Sequence, residues 1–218
     1  MRTKTLLLTA ALSVAAAATS MAQAVYSVNI VGYVNKTLNP GYTMICNPFV
    51  VADSKVSTLI PVAPSGTTIY NFNGSFVGTQ FDDLAGAWTD PNLPLNLGSG
   101  FFVQNVSGAP FTITFVGEVL TGTINNPPSV SGYQILSSKV PQAGTLGALG
   151  LVPGDGDQVL RFDNAGNTFV GYSYDGLGGQ WVSAAPVDPV NGPSIDVGES
   201  FFYNNLASSA TWTRVFNP

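Results

Sequence analysis

Three carboxylates fall within one short stretch of the sequence. Asp155 and Asp157 lie in "PGDGDQ", and Asp163 follows in "DNAGN" beside Asn164 and Asn167. Hard oxygen ligands on a Gly-rich loop suit Ca²⁺, so Asp155, Asp157 and Asp163 are the candidate metal ligands. The stretch does not follow the twelve-residue EF-hand spacing. Asx-turns account for the same residues without a metal, because Asp and Asn side chains bond their own backbone in tight turns. Both readings stand at this point. Asp82-Asp83 is the other close pair. A glycosidase needs two carboxylates across a cleft, which adjacency in sequence does not supply. Their place after a strand-like run and before a Gly turn fits solvated loop residues.

Other reactive chemistry is sparse. The sequence has no histidine, which removes the commonest general base and the His-based triads and zinc sites. Cys46 is the single cysteine, so no intrachain disulfide forms. Its setting in "YTMICNPF" reads as a buried small hydrophobe. No Gly-rich loop precedes a Lys-Ser or Lys-Thr pair, the phosphate-cradling pattern. The expectation is a protein that is not an enzyme and carries no cofactor.

The elements that position these residues are strands. Charged residues are 9% of the 218, while 24 Gly and 15 Pro supply turns. Thirteen Phe, eight Tyr and three Trp give the chain ample surface to bury, which argues against disorder. The first 24 residues read as an export signal: Arg2 and Lys4, an apolar run from Leu6 to Ala17, and Ala22-Gln23-Ala24 before Val25. That run is short for a bilayer span, so no membrane span is expected and the product is expected to be exported. Removing Arg2 and Lys4 leaves a net charge of about −7. Such a balance disfavours nucleic acid, which wants a basic footprint.

The sequence says most things twice. "GYTMIC" from Gly41 is answered by "GYQILS" from Gly132, "TIYNFNGSFVG" by "QVLRFDNAGNTFVG", "GAWTD" by "GQWVS", "LGSGFFVQN" by "VGESFFYNN", and "TITFV" by "TWTRV". The second copy is about nine residues longer, mostly in loops, where insertions are tolerated. One insertion is the turn "DNAGNT", where the first copy has "NGS". The reading is an internal duplication with units 25–124 and 125–218.

Each unit reads as short strands. "TTIYNF" and "QVLRF" alternate with period two, and Asn73-Gly74 and Ala165-Gly166-Asn167 supply the turns of hairpins into "SFVGTQF" and "TFVGYSY". "SGFFVQN" with "FTITFVGEV", and "SFFYNN" with "TWTRVF", read as further hairpins. Gly98 and Gly198 fit a tight turn before a strand. Phe101 and Phe201 then face one side, and Phe102 and Phe202 the other. This implies a strand packed on both faces, or one face left open as an aromatic binding platform. Helix is confined to single turns at "DSKVSTLI", capped by Asp53, and at "AGTLGALG".

These residues resemble a module of secreted bacterial proteins. Its pattern runs G-W-N-L-I-S/G-N-P, then Y-x-W/F-N, then P-G-x-G-F-F/Y-V. Gly41 to Pro48, Tyr70 to Asn73 and Leu97 to Val103 stand for the three elements, with Tyr42 in place of the usual Trp. The opening "YSVNIVGYVNK" is similar to the mature start of exported proteins from Verrucomicrobia-type bacteria. The resemblance implies a small extracellular β-module in an accessory or surface role.

The start of the mature chain has one further implication. Val31-Gly32-Tyr33-Val34 matches Val116-Gly117-Glu118-Val119, which reads as a head strand, a shared middle strand and a missing last one. A head strand can dock on another copy by β-strand addition; alternatively it pairs within its own unit. The sequence therefore leads to an all-β protein of two duplicated small β-sandwich or barrel-like units of short antiparallel strands. Its expected role is structural or surface-associated, with self-association through the N-terminal strand. The alternative is a surface-glycan or matrix-binding module built on exposed Trp88, Trp181 or Tyr172.

Overall fold

The structure is a computed structural model, which describes residues 30–128 and 131–217. The leader read over residues 1–24 lies outside the described residues. The first half of the chain contributes β1 (Val31–Leu38), β2 (Gly41–Ile45), the helical turn α1 (Val56–Leu59), β3 (Thr68–Phe72), β4 (Phe76–Asp82), β5 (Ala87–Trp88), β6 (Phe101–Asn105) and β7 (Phe111–Glu118). The second contributes β8 (Gly122–Asn125), β9 (Gly132–Ser137), β10 (Gly144–Thr145), β11 (Leu151–Val152), β12 (Gln158–Asp163), β13 (Thr168–Asp175), β14 (Gln180–Val182), β15 (Ser194–Ile195), β16 (Ser200–Asn205) and β17 (Thr211–Phe216). Among the described residues 49% are strand and 2% helix, an all-β fold.

Two five-stranded antiparallel sheets follow one plan. The first has the order β2-β6-β3-β4-β5, the second β9-β16-β12-β13-β14. Both hairpins expected from the turn residues form: Phe72 pairs with Phe76 across Asn73-Gly74, and Asp163 with Thr168 across the longer turn. Each sheet is backed by a smaller one, β1-β7 in the first half and β11-β17-β8 in the second.

The pairs read as further hairpins are not hairpins. β6 bonds to β2 and β3 while β7 bonds to β1, and β16 bonds to β9 and β12 while β17 bonds to β11 and β8. The chain arches from one layer to the next. The reason is burial: Phe101 and Val103 of β6 and Ile113 and Phe115 of β7 close on one core from opposite sides. The Phe101 and Phe115 rings meet edge to face at 6.4 Å. In the second half Phe201 and Trp212 meet likewise across the core, their rings tilted at 38° and 5.9 Å apart.

The doubled Phe-Phe phrase is thereby explained. Phe101 and Phe201 enter the cores of their own halves, while Phe102 and Phe202 join Met44 and Ile135 in a third core between the two sheets. Alternate residues of a strand point to opposite faces, so one dipeptide serves two layers. Gly98 and Gly198 hold φ of +83° and +73°, which a side chain would strain.

The front strand pairs at home. β1 runs antiparallel to β7 over its whole length, from Val31 opposite Glu118 to Leu38 opposite Phe111. Its counterpart is β8, which pairs with β17 from Asn125 opposite Thr213 to Gly122 opposite Phe216. The same hydrogen bond marks both pairs: Thr114 Oγ1 donates to Asn35 Oδ1 at 2.7 Å, and Thr213 Oγ1 to Asn125 Oδ1 at 2.9 Å. So no middle strand is shared: β7 takes β1 as its partner and β17 takes β8. Gly122 to Ile124, counted with the first unit by sequence, pair inside the second along with Asn125. At α1 the N-cap is Lys55 rather than Asp53, whose carboxylate instead accepts from Lys55 N and Thr58 Oγ1.

Candidate functional site

The three candidate metal ligands are each bound up in a turn. Asp155 Oδ1 accepts from Gly176 N at 2.7 Å, and Asp163 Oδ1 from Ala165 N at 3.1 Å. Asp157 is fully buried. Its carboxylate accepts from Gly154 N, Tyr203 Oη, Leu206 N and Ala207 N at 2.6–3.1 Å. Those bonds tie the loop before β12 to the arch between β16 and β17, a structural role that sequence reading did not assign. The three carboxylates do not come together, and among the described residues no group of three or more His, Cys, Asp or Glu could hold a metal ion. In the first half Thr67 and Val103 stand where Asp157 and Tyr203 do, and Asn105 holds the arch instead, donating to Leu38 O and Ala109 O and accepting from Ser107 N.

Asp82 and Asp83 are likewise turn residues. Asp82 Oδ1 accepts from Leu84 N and Ala85 N, and Asp83 Oδ1 from Ser65 Oγ. Cys46 is a buried free thiol, as expected. Burial pushes it up to about 12, against smaller opposing effects of Ser137 and Lys36. The rings proposed for glycan contact are buried: Trp88, Trp181 and Tyr172 are 4%, 3% and 6% exposed. Trp88 Nε1 donates to Ile60 O inside the first core. The adjacency of the two tryptophans to turns in sequence concealed this, because the small strands β5 and β14 fold them inward; Tyr172 is on β13, facing the second core.

What the sequence did not reveal is the junction between the two sheets. It is closed by paired bonds about an approximate two-fold relation. Cys46 N donates to Gly198 O at 3.0 Å, and its counterpart Ser137 N to Gly98 O at 3.1 Å. Isolated bridges join Ile45 to Glu199 and Ser99 to Leu136. At one rim the third core opens into an aromatic pocket of about 420 Å³ walled by Tyr42, Tyr70, Phe102 and Phe162, with Phe76 and Phe169 more than 40% exposed at its mouth.

The two-fold relation breaks beside the junction. In the second half Arg161 and Glu199 form a bidentate ion pair, Nε to Oε1 at 2.8 Å and Nη2 to Oε2 at 3.1 Å. Asn164, in the longer turn, reaches the first half and donates to Tyr42 O and Thr43 Oγ1. The first half has Asn71 and Ser99 at the counterpart positions and the shorter turn Asn73–Ser75. A cleft of about 890 Å³ remains there, between the 93–100 segment and β9.

No protein-family model, no curated protein and no solved structure matches this chain. A third feature is the outer edge of β1. Val119 N donates to Ile30 O at 2.7 Å. In an antiparallel ladder bonded pairs alternate, so Val31, Tyr33, Asn35 and Thr37 direct their backbone groups away from β7. β1 ends the order of its sheet. Val31 and Tyr33 are 68% and 73% exposed.

Proposed function

We propose that this is an exported, non-enzymatic structural or surface-associated β-protein whose copies associate by adding strands along the outer edge of β1. The observation that carries the reading is that edge itself. Soluble proteins blunt long edges with outward Lys, Pro or bulges. β1 has eight residues, no proline, and a single lysine, Lys36, whose Nζ is committed to Val197 O at 3.1 Å. Val31 and Tyr33, with Val116 of the neighbouring strand, form an exposed apolar row beside it. Antiparallel pairing of β1 with β1 of a second copy makes a closed dimer; pairing with the edge of β8 makes an open chain.

Export rests on the leader pattern at 1–24, and the surface role on the resemblance to secreted bacterial modules. The test uses proline at an outward position, where it removes a free donor without breaking the β1-β7 ladder. Light scattering over a concentration series should show mass growing for the wild type and for Tyr33→Thr, and a monomer for Tyr33→Pro. A wild type that stays monomeric at every concentration refutes the reading. The second reading, a glycan-binding module, cannot rest on the buried tryptophans; the cleft at the junction is its one support.

A further inference from the structure

We infer that the cleft at the junction binds a neutral oligosaccharide. The inference is independent of strand addition. Its first ground is that the chain fills the counterpart position with its own side chains. Arg161 and Glu199 occupy that position in the second half, and Asn164 closes over Tyr42 and Thr43. In the first half the same backbone carries Asn71 and Ser99, and the turn that would supply a latch is shorter. Position 71 corresponds to 161 by register: Asn71 faces Val77 as Arg161 faces Val170.

The second ground is the chemistry of the walls. Asn71, Asn73 and Asn96 line one side, and Asn126, Tyr133 and Lys139 the other. Asn71 Nδ2 donates to Pro94 O, leaving its Oδ1 to accept; Asn96 Oδ1 accepts from Ser54, leaving its Nδ2 to donate. Side-chain amides offering one donor and one acceptor match vicinal hydroxyls, which each need both. The Tyr133 ring is 45% exposed beside them, and an aromatic face suits the C–H face of a sugar. Lys139 is the only charged residue among those lining the cleft, and its Nζ already donates to Asn125 O at 2.9 Å. One engaged cation in an acidic protein is a poor anion site, which favours a neutral ligand over a phosphate or a uronate. The volume falls in the range of small-ligand sites, about 300–1,000 Å³.

The experiment is calorimetric titration of the full chain with cellotetraose, xylotetraose, mannotetraose and chitotetraose in turn. At least one should bind, with Kd in the range of about 10 µM to 1 mM. The decisive variant transplants the pair that fills the other half: Asn71→Arg with Ser99→Glu should weaken binding by at least about tenfold. Tyr133→Leu should also weaken it, and serves if the double variant does not fold. Phe169→Leu, in the aromatic pocket, should leave binding unchanged. Absence of binding by all four sugars overturns the inference. So does binding that survives both cleft variants or is lost on Phe169→Leu.

Discussion

Gly100 and Ser200 stand face to face at the middle of the junction: a Cβ built on Gly100 would lie 2.1 Å from the Ser200 Cβ. They are counterparts in the doubled phrase, so the near-symmetry of the junction allows a side chain on one of them only. Ser200 uses its place, donating from Oγ to Ile45 O at 3.0 Å. Gly100→Ala should therefore destabilise the protein by roughly 1–3 kcal/mol through overpacking. Ser200→Gly added to it should recover part of the loss. A double-mutant cycle in urea measures the coupling; strict additivity would remove the steric account.

Asp157 is expected to be the most sensitive carboxylate of the described residues. Asp157→Ala strands Tyr203 Oη and three backbone N–H groups in a buried place, a loss of about 3 kcal/mol or more. Tyr203→Phe removes one of the four bonds and should cost about 1 kcal/mol. Since these donors already fill the carboxylate, calcium and EDTA should leave the wild-type Tm unchanged. A rise in Tm with calcium that disappears in Asp157→Asn would restore the metal reading.

Cys46 predicts an alkaline limb. Its ordinary pKa of 9.0 rises to about 12 in the fold, chiefly by burial. The native state then holds a proton that the unfolded state gives up, so its contribution is complete below pH 9 and is lost as pH rises toward 12. The Tyr203 phenol, also pushed up by burial and then by Asp157, acts in the same direction. Cys46→Ser should make the limb shallower and cost about 1 kcal/mol or less, because Ser137, its counterpart, already donates to Ser99 O at 3.3 Å. Denaturant titrations from pH 7 to 11 read both effects, and a thiol reagent should label Cys46 only after unfolding.

The pairing of β8 with β17 sets where the second half begins. A fragment starting at Gly122 should keep β17 between two neighbours and fold cooperatively by circular dichroism. One starting at Asn126 lacks β8 and should be markedly less stable. Equal stability would mean that the β8 pairing contributes little.

Much of the sheet plan was legible because strand chemistry is local. The turns at Asn73-Gly74 and Gly166-Asn167 and the alternation of "TIYNF" named their hairpins, and Phe101-Phe102 named a strand with two buried faces. The arches were misread because a short polar turn between two apolar runs looks the same whether the runs pair or face each other across a core. β8 was missed because "VGYV" resembles "VGEV" in letters, whereas its true counterpart "GTIN" matches it in partners, through Asn35 and Asn125. The Asp157 loop was recognised as a turn, but its burial depends on Tyr203, which lies 46 residues away. The cleft was illegible for a similar reason. That Asn71 and Ser99 replace Arg161 and Glu199 can be read in the sequence, but that Arg161 and Glu199 touch, 38 residues apart, cannot.

Two of the bonds across the junction join residues 153 and 155 apart, Cys46 with Glu199 and Ser200 with Ile45. Sheets built from local hairpins form early, while contacts of such sequence separation form late. A chain made from its N-terminus will complete the first sheet while β16 has yet to appear. During that interval Met44 and Phe102 lack Ile135 and Phe202, which close over them in the finished protein. Emergence of the second half is therefore the step that ends the aggregation-prone period, and the rate at which it follows the first governs how much of the protein matures.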